Sequence, residues 1–194
     1  MGWASGVADS LVRRGYTTHG SLGVQLHDPV AALAEWTKAY SWRRNAVYTY
    51  VVPLDRESLL ERIRSLCEAH SVPWALTLLF GAERRVGYVR PAGPTHLYFN
   101  PSREQERAVI LEQLYAEPSP REGNLALLEP YHGLGAYINA HEVNGAPVVS
   151  DLQLFLDLVH FPLRRIEAAE MLLRQRLAAQ LGLAGVNRLL DAVG

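Results

Sequence analysis

The stretch VYTYVVPLDRESLLERIRSLCEAH, residues 47–70, decides the fold class. Its first six residues are β-branched or aromatic, which is typical of a strand, and Pro53 ends that strand. Asp55 then provides a helix N-cap, and Leu59 and Ile63 recur at helical spacing behind it. A strand followed at once by a capped amphipathic helix indicates a mixed α/β protein rather than a helical bundle or a β-sandwich.

Strands and helices alternate on both sides of this stretch, and the residues after 149 are helical in pattern. Further strands are predicted over Trp74–Phe80, Thr95–Phe99, Asn124–Glu129 and Gly135–Asn139, and further helices over Asp28–Trp42, Ser102–Leu114, Leu152–His160, Leu163–Leu181 and Leu183–Val193. The dipeptide Asn144-Gly145 predicts a tight hairpin turn. Three of the helices are predicted to have side-chain N-caps at or just before their first residues, which are Asp28, Ser102 and Ser150. The order predicts an α/β (α+β) domain with a helical C-terminal end.

The first 27 residues read as a separate small element. Ser5–Arg14 is predicted to be a short helix ended by Gly15, and Tyr16–Leu26 is predicted to be a β-hairpin. A helix followed by two short strands is the order of the last helix and wing of a winged helix. A complete module needs three helices, and the residues before Tyr16 have room for one, so the element is predicted to be partial. We therefore predict two regions, a partial winged-helix element over 1–27 and an α/β domain over 28–194.

Composition excludes several classes of protein. With 48% hydrophobic and 20% charged residues in 194, the chain is globular in composition rather than disordered or collagen-like. A formal net charge of −1 gives no overall positive field for nucleic acid. The single cysteine, Cys67, cannot form an internal disulfide, which is typical of a reducing compartment. Residues 1–9 show no signal-peptide pattern, and no apolar run approaches the ~20 residues of a spanning helix. These features predict a cytoplasmic protein with no membrane partner.

The sequence contains no motif typical of an enzyme active site. Nucleotidyl transfer needs two or three carboxylates gathered on a strand and the next loop to hold a divalent metal. No two aspartates are separated by one residue, and Glu104 and Glu106 fall on a predicted helix, where they point to different sides. His141-Glu142 lacks the second histidine of a zinc protease, and Cys67 lies on an apolar stripe. The prediction is a protein that is not an enzyme, with no catalytic residues, no cofactor and no metal.

Two groups of arginines remain as candidate binding surfaces. Near the N-terminus, helix-end arginine pairs and the hairpin predict contacts to DNA phosphates, through Arg13, Arg14, Thr17, Thr18, Arg43 and Arg44. The alternative is that these arginines complement helix dipoles and solvate the surface. On the long C-terminal helix, a second group predicts a face for a protein partner, through Arg164, Arg165, Arg174 and Arg176. Glu167 and Glu170 offset part of that charge, so a salt-bridged surface is equally open.

One carboxylate stands out because its surroundings are apolar. Asp157 lies inside the helix predicted over Leu152–His160, and an ionised, unpaired carboxylate is costly to bury. We expect it to accept hydrogen bonds from the backbone or to pair with Arg164 or Arg165.

Several stretches together resemble the AbiEi family, the abortive-infection antitoxins of type IV toxin–antitoxin systems. VVSDLQLFLDL (148–158), followed by Glu167-Ala-Ala-Glu170, is similar to that family's Ser-x-x-Gln-x-Tyr-Leu-Asp-Leu … Glu-Ala-Ala signature. Upstream, Trp74-Ala-Leu-Thr77 and Asn124–Pro130 resemble two of its strands, and the helix from Asp28-Pro29 through Tyr40 resembles its linker helix. Leu163-Arg-Arg-Ile166 stands where the family usually has Arg-Gly before Glu-Glu-Ala-Ala.

The resemblance implies a winged-helix DNA-binding module in front of a domain with a degenerate nucleotidyltransferase-like fold. It also implies repression of the protein's own operon and opposition to a nucleotidyltransferase toxin. The main hypothesis is therefore an antitoxin-like regulator with operator DNA and a cognate toxin as partners, and with homo-oligomer formation left open. The alternatives are a protein-interaction module without DNA binding, or a divergent nucleotidyltransferase.

Overall fold

The structure is a computed structural model, and it describes residues 13–20, 23–87, 93–161 and 165–193. The described chain forms two compact units, one made of residues 1–40 and 173–194 and the other of residues 41–172. This division differs from the predicted boundary at His27–Asp28. The helix that follows the hairpin has its helical partner near the C-terminus, and the contacts therefore group the two ends of the chain together.

The secondary structure follows the predicted alternation and confirms a mixed α/β fold. The strands are β1 Thr17–Gly20, β2 Gly23–Leu26, β3 Ala46–Val51, β4 Trp74–Leu76, β5 Thr95–Phe99, β6 Glu117–Pro118, β7 Leu125–Glu129, β8 His141–Val143 and β9 Ala146–Val148. The α-helices are α1 Pro29–Ala39, α2 Arg56–His70, α3 Leu78–Val86, α4 Glu104–Gln113, α5 Asp151–Val159, α6 Arg165–Leu172, α7 Ala178–Leu181 and α8 Leu183–Val193. Turns of 3₁₀ helix cover Trp42–Arg44 and Gly133–Tyr137, and a π-helical segment covers Leu173–Leu177.

In the larger unit, seven of the described strands form one mixed sheet in the order β6-β3-β7-β5-β4-β9-β8. β5 runs parallel to β7 and β4 runs parallel to β9, while the other neighbours are antiparallel. The register places Tyr98 beside Leu128 and Ala75, so these three side chains share one face. Helix α5 lies against that face through Asp157, which contacts Tyr98. The centre of the sheet is therefore buried.

The smaller unit contains the β1–β2 hairpin and helices α1 and α8. The hairpin confirms the prediction over Tyr16–Leu26, and Gly15 before it has φ +75°, as a helix-ending glycine requires. Helix α1 packs closely on α8, because a Cβ atom on Gly185 would lie 2.8 Å from Val30 Cγ2. The N-cap residue of α1, Asp28, also accepts a 2.7 Å hydrogen bond from Arg188 of α8. The predicted helix over Ser5–Arg14 lies mainly outside the described residues, and the winged helix stays a prediction.

The apolar run Trp74–Phe80, predicted to be one strand, is a strand for three residues and then becomes helix α3. The chain leaves the sheet at Thr77, whose carbonyl accepts the hydrogen bond from the Gly81 N–H that starts the helix. Gly81 also allows close packing on α5, because a Cβ there would lie 2.9 Å from Leu154 Cδ1. A wholly apolar run suits a buried helix as well as a buried strand, and so its pattern cannot separate them.

The second wrong strand is Gly135–Asn139, which lies in the 3₁₀ turn Gly133–Tyr137 and the two residues after it. Gly133 and Asn139 have φ of +61° and +56°, values that a strand does not accommodate. The segment also folds locally, because the Gly133 N–H donates to the Pro130 carbonyl. We call Tyr131–Ala140 the 131–140 loop.

The helix caps were more predictable. Ser150 accepts the Gln153 N–H, Asp55 accepts the Ser58 N–H, and Asp28 accepts the Ala31 N–H, all as expected. The cap predicted at Ser102 shifts by one residue, because α4 begins at Glu104 and Glu106 accepts from the Ser102 and Arg103 N–H groups. Within the described ranges, no helix is both long and apolar enough to cross a membrane.

Candidate functional site

A buried polar cluster lies between the sheet and helix α5, and we call it the Asp157 cluster. Its residues are Asp157, Thr77, Tyr98, Gln153 and Asn45, all of them buried. Thr77 comes from the end of β4, Tyr98 from β5, and Asn45 from the residue before β3. Four segments far apart in sequence therefore contribute to one buried cluster.

Asp157 is fully buried and accepts hydrogen bonds at both carboxylate oxygens. Thr77 donates its hydroxyl to Oδ2 at 2.5 Å, and Tyr98 donates its hydroxyl to Oδ1 at 3.0 Å. Gln153 Nε2 donates to the same Oδ1 at 3.0 Å and lies 3.3 Å from Tyr98 Oη. Hydroxyl and amide groups of the described residues thus donate to Asp157, and its expected pairing with backbone groups or with Arg164 or Arg165 stays a prediction. Arg164 and the side chain of Arg165 lie outside the described residues.

His96, two residues before Tyr98 on the same strand face, is also buried. Burial lowers the pKa of its imidazole to about 4, since an imidazolium would lose its hydration there. Its ring contacts Phe161 edge-on at 5.3 Å between centroids. His96 is therefore neutral at pH 7, and the cluster side of the sheet is closed to water around it.

The Asp157 cluster reaches the protein surface through Asn45. Next to it in sequence, Arg43 and Arg44 are exposed at the end of the 3₁₀ turn Trp42–Arg44. The Arg44 guanidinium carbon lies 5.8 Å from the ring centroid of Tyr131, which begins the 131–140 loop and is 44% exposed. His132 packs edge-on against Tyr131 at 4.7 Å between centroids. We call Arg43, Arg44, Tyr131 and His132 the Arg44–Tyr131 surface.

The charges of this surface are not neutralised by nearby acids. Within the described residues, neither Arg43 nor Arg44 forms an ion pair with a carboxylate. Many other arginines do, including Arg85 with Asp151 and Arg107 with Glu129. Burial lowers the pKa of His132, so its ring is a neutral aromatic partner at pH 7. Among the described residues, the surface therefore presents two guanidinium groups without a carboxylate partner, and that of Arg44 lies beside an exposed aromatic ring. This combination is suited to a phosphate and a planar base.

The predicted DNA-contacting residues do not all reach the surface. Arg13, Arg14 and Thr18 are exposed, whereas Thr17 is buried and its hydroxyl has no hydrogen-bond partner within the described residues. Thr18 Oγ1 lies 2.7 Å from His27 Nε2 across the hairpin. Arg43 and Arg44 belong to the larger unit and the other four to the smaller one. Contact of this set with DNA stays a prediction.

The predicted partner-binding arginines are described in part. Arg174 and Arg176 are exposed in the π-helical segment, and Arg174 lies 3.4 Å from Asn187 Oδ1. Sequence reasoning missed Tyr131 and Asn45. The 131–140 loop was interpreted as a turn and a strand, and the contact across 86 positions from Asn45 to Tyr131 leaves no local pattern.

No group of three or more His, Cys, Asp or Glu side chains that could hold a metal is found within residues 13–20, 23–87, 93–161 and 165–193. Cys67 is buried as predicted, and burial raises the pKa of its thiol to about 12. A thiol with that pKa is protonated at neutral pH and is a poor nucleophile.

No protein-family model and no curated protein sequence matches the chain. Two solved structures are similar, both of the antibiotic-resistance factor ANT(2'')-Ia. The solution structure is 19% identical, covers 70% of this chain and 89% of that chain, and has a TM-score of 0.47. The crystal structure in complex with adenylyl-2''-tobramycin is 19% identical, covers 70% and 95%, and has a TM-score of 0.48.

The mixed sheet and the helices that alternate with its strands confirm the predicted α/β (α+β) fold class. The prediction that the chain is not an enzyme relied on the spacing of carboxylates along the sequence. The similar structures are of an antibiotic-resistance factor, one of them with adenylyl-2''-tobramycin, and they give that prediction no support, so we withdraw it.

Proposed function

We propose that the chain is a divergent nucleotidyltransferase that binds a nucleoside triphosphate on the Arg44–Tyr131 surface. The observation that carries the proposal is the Arg44 guanidinium beside the exposed ring of Tyr131, next in sequence to the exposed Arg43, with no carboxylate partner for either arginine among the described residues. Arginine donors match phosphate oxygens in geometry and charge, and the exposed ring offers a flat face to a base.

A nucleotidyltransferase of known type uses a divalent metal held by carboxylates. The described residues do not fit such a site, since no group of three or more His, Cys, Asp or Glu side chains that could hold a metal ion is found among them. We therefore derive no step through a metal, and the proposal assigns nucleotide recognition to side chains alone.

Binding is tested by titrating the purified chain with ATP, GTP, CTP and UTP in a calorimeter. We expect one triphosphate to bind, and Arg44→Ala and Tyr131→Ala to weaken it by about tenfold each, which corresponds to about 1.4 kcal/mol. Arg64→Ala is the matched control, because Arg64 is an exposed arginine on α2 that pairs with Glu68. Equal weakening by the control, or no binding by the wild-type chain, contradicts the proposal. If the chain binds an oligonucleotide but no triphosphate, the ligand of this surface is a nucleic acid strand and the proposed ligand is wrong.

Transfer is tested separately by incubating the chain with α-labelled triphosphate, Mg²⁺ and either tRNA or an aminoglycoside. In the reaction an acceptor hydroxyl oxygen bonds to the α-phosphorus, the bond to the β-phosphate oxygen breaks, and pyrophosphate leaves. Label on an acceptor supports a transferase, and label that stays on the triphosphate with both acceptors speaks against it.

A second candidate is the antitoxin-like regulator implied by the AbiEi resemblance. The observation in its favour is the hairpin β1–β2, preceded by Gly15 in a helix-ending conformation and by the exposed Arg13 and Arg14. We propose operator DNA as its ligand and a cognate toxin as its partner, with Arg174 and Arg176 toward the toxin.

The test is a gel shift with the DNA upstream of the gene, at 50 and 200 mM salt. A phosphate-dominated interface predicts a shift that weakens as salt rises and is reduced by Arg13→Ala with Arg14→Ala. A shift that is absent, or that does not respond to salt, contradicts DNA binding. Co-purification with the product of the neighbouring gene tests the toxin part.

A further inference from the structure

Asn45 joins the two segments that form the Arg44–Tyr131 surface. It is 5% exposed and follows the turn Trp42–Arg44 directly. Its Oδ1 accepts the Tyr131 backbone N–H at 3.1 Å, and its Nδ2 donates to the Trp42 carbonyl at 2.7 Å. One amide group thus connects the turn that carries Arg44 to the start of the 131–140 loop.

The opposite side of the same amide contacts the Asp157 cluster. Asn45 Nδ2 lies 3.3 Å from Tyr98 Oη, and that hydroxyl donates to Asp157. An asparagine has one carbonyl acceptor and two N–H donors on one planar group. These contacts use both kinds of atom, and they fix the amide plane because Tyr98 is itself held in the core.

The turn Trp42–Arg44 is also held in place by contacts with the end of α5. Trp42 donates its indole N–H to the His160 carbonyl at 2.8 Å, and its ring packs on Phe161 at 5.5 Å between centroids. Side chains that touch a ligand keep their geometry only when groups behind them are fixed in this way. The buried contacts of Asn45 are therefore arranged as support for the exposed pair Arg44 and Tyr131.

We infer that Asn45 is a positioning residue, which sets the separation between the Arg44 guanidinium and the Tyr131 ring at which a nucleoside triphosphate binds. The inference rests on the proposed function for its ligand. Its structural part, the tie between Asn45 and Tyr131, has a readout of its own.

The test is a double-mutant cycle of Asn45→Ala and Tyr131→Ala, with ATP affinity measured by calorimetry below the unfolding temperature of every variant. We expect Asn45→Ala to weaken ATP by about tenfold in the wild-type background and by less than about twofold in the Tyr131→Ala background. Equal weakening in both backgrounds means that Asn45 does not act through Tyr131, and it overturns the inference.

The matched control is Asn124→Ala. Asn124 is also an amide that bridges distant segments, because it accepts the Val52 N–H and donates to the Val52 carbonyl, both at 2.8 Å. It makes none of the contacts of the surface, so a general loss of stability would appear in this variant as well. Loss of ATP affinity in Asn124→Ala equal to that in Asn45→Ala overturns the positioning role. If Asn45→Ala fails to fold, Asn45→Ser takes its place in the same cycle.

Hydrogen exchange separates this inference from the proposed function. The Tyr131 amide is protected by Asn45 Oδ1, and we expect Asn45→Ala to raise its exchange rate by at least about tenfold, whereas Asn124→Ala leaves it unchanged. If Asn45→Ala raises the exchange rate but the chain binds no ATP, the proposed ligand is wrong and the positioning role of Asn45 is supported. Unchanged exchange overturns the positioning role whatever the chain binds.

Discussion

The Asp157 cluster and the Arg44–Tyr131 surface place polar side chains in opposite environments. In the cluster, a fully buried carboxylate accepts hydrogen bonds from Thr77 and Tyr98 of distant segments and from Gln153 of its own helix. On the surface, Arg43 and Arg44 are both exposed, and the Arg44 guanidinium lies beside an aromatic ring. Buried polar groups tolerate little change, because an unpaired donor there loses its hydrogen bonds to water. The comparison teaches that a region that fixes structure lies next to one that is free to take a ligand, with Asn45 between them.

The largest expected effect comes from removing the carboxylate of the cluster. Asp157→Ala leaves Thr77, Tyr98 and Gln153 without the acceptor that they share, and we expect a loss of about 3 kcal/mol or more in the free energy of unfolding. Urea denaturation followed by circular dichroism measures it. A loss below about 1 kcal/mol would mean that the cluster tolerates substitution as well as the surface does, and it would contradict the comparison.

The next effect is a dependence of stability on pH through His96. Its folded-state pKa of about 4 lies below the 6.5 of an unperturbed histidine, so the unfolded chain binds the proton first. Stability is therefore complete above about pH 6.5 and is lost as the pH falls toward 4, by up to about 3 kcal/mol. His96→Asn removes the titration, and we expect its unfolding free energy to vary less than that of the wild-type chain over this range. If the unfolding free energies of the two proteins change in parallel with pH, the surroundings of His96 are open to water and the expectation is wrong.

A smaller effect tests the helix that carries Asp157. Ser150 caps α5 by accepting the Gln153 N–H at 3.2 Å, and Ser150→Ala is expected to cost about 1 kcal/mol. Ser150→Asn, which also caps well, is the control and should recover most of that loss. An unchanged melting temperature in Ser150→Ala would mean that packing against the sheet, rather than the cap, holds the helix in place.

The smallest effect is expected on the surface itself. Arg43→Ala and Arg44→Ala remove exposed guanidinium groups, and we expect changes within about 0.5 kcal/mol in the free energy of unfolding. Thermal melts of the two variants against Asp157→Ala measure the contrast directly. A large loss in either arginine variant would show that the surface also supports the fold.

The sequence predicted most elements that local patterns specify. Asp28, Asp55 and Ser150 cap their helices as expected, and Asn144-Gly145 forms the turn between β8 and β9 with positive φ at both residues. The errors fall where long-range packing decides. Residues 78–80 turn into a helix that packs on α5, although their apolar pattern equally suits a strand.

The candidate site was predicted in part. Arg43 and Arg44 were identified from a helix-end charge pair, but their partner Tyr131 was not, because an exposed tyrosine after a strand carries no pattern of its own. Asp157 was identified as unusual from its apolar neighbours. Its donors Thr77 and Tyr98 lie 80 and 59 positions away in sequence. No periodicity in the sequence predicts which hydroxyl groups will donate hydrogen bonds to Asp157.

The close packing of α1 on α8 has a consequence for synthesis on the ribosome. Gly185 and Arg188, which contact Val30 and Asp28, are translated only after the whole of residues 41–172 has been made. The buried stripe of α1, with Val30 and Leu33, therefore waits without its helical partner while the larger unit emerges and folds. The smaller unit is therefore the last to fold. Until it does, the apolar face of α1 is exposed and can be bound by a chaperone.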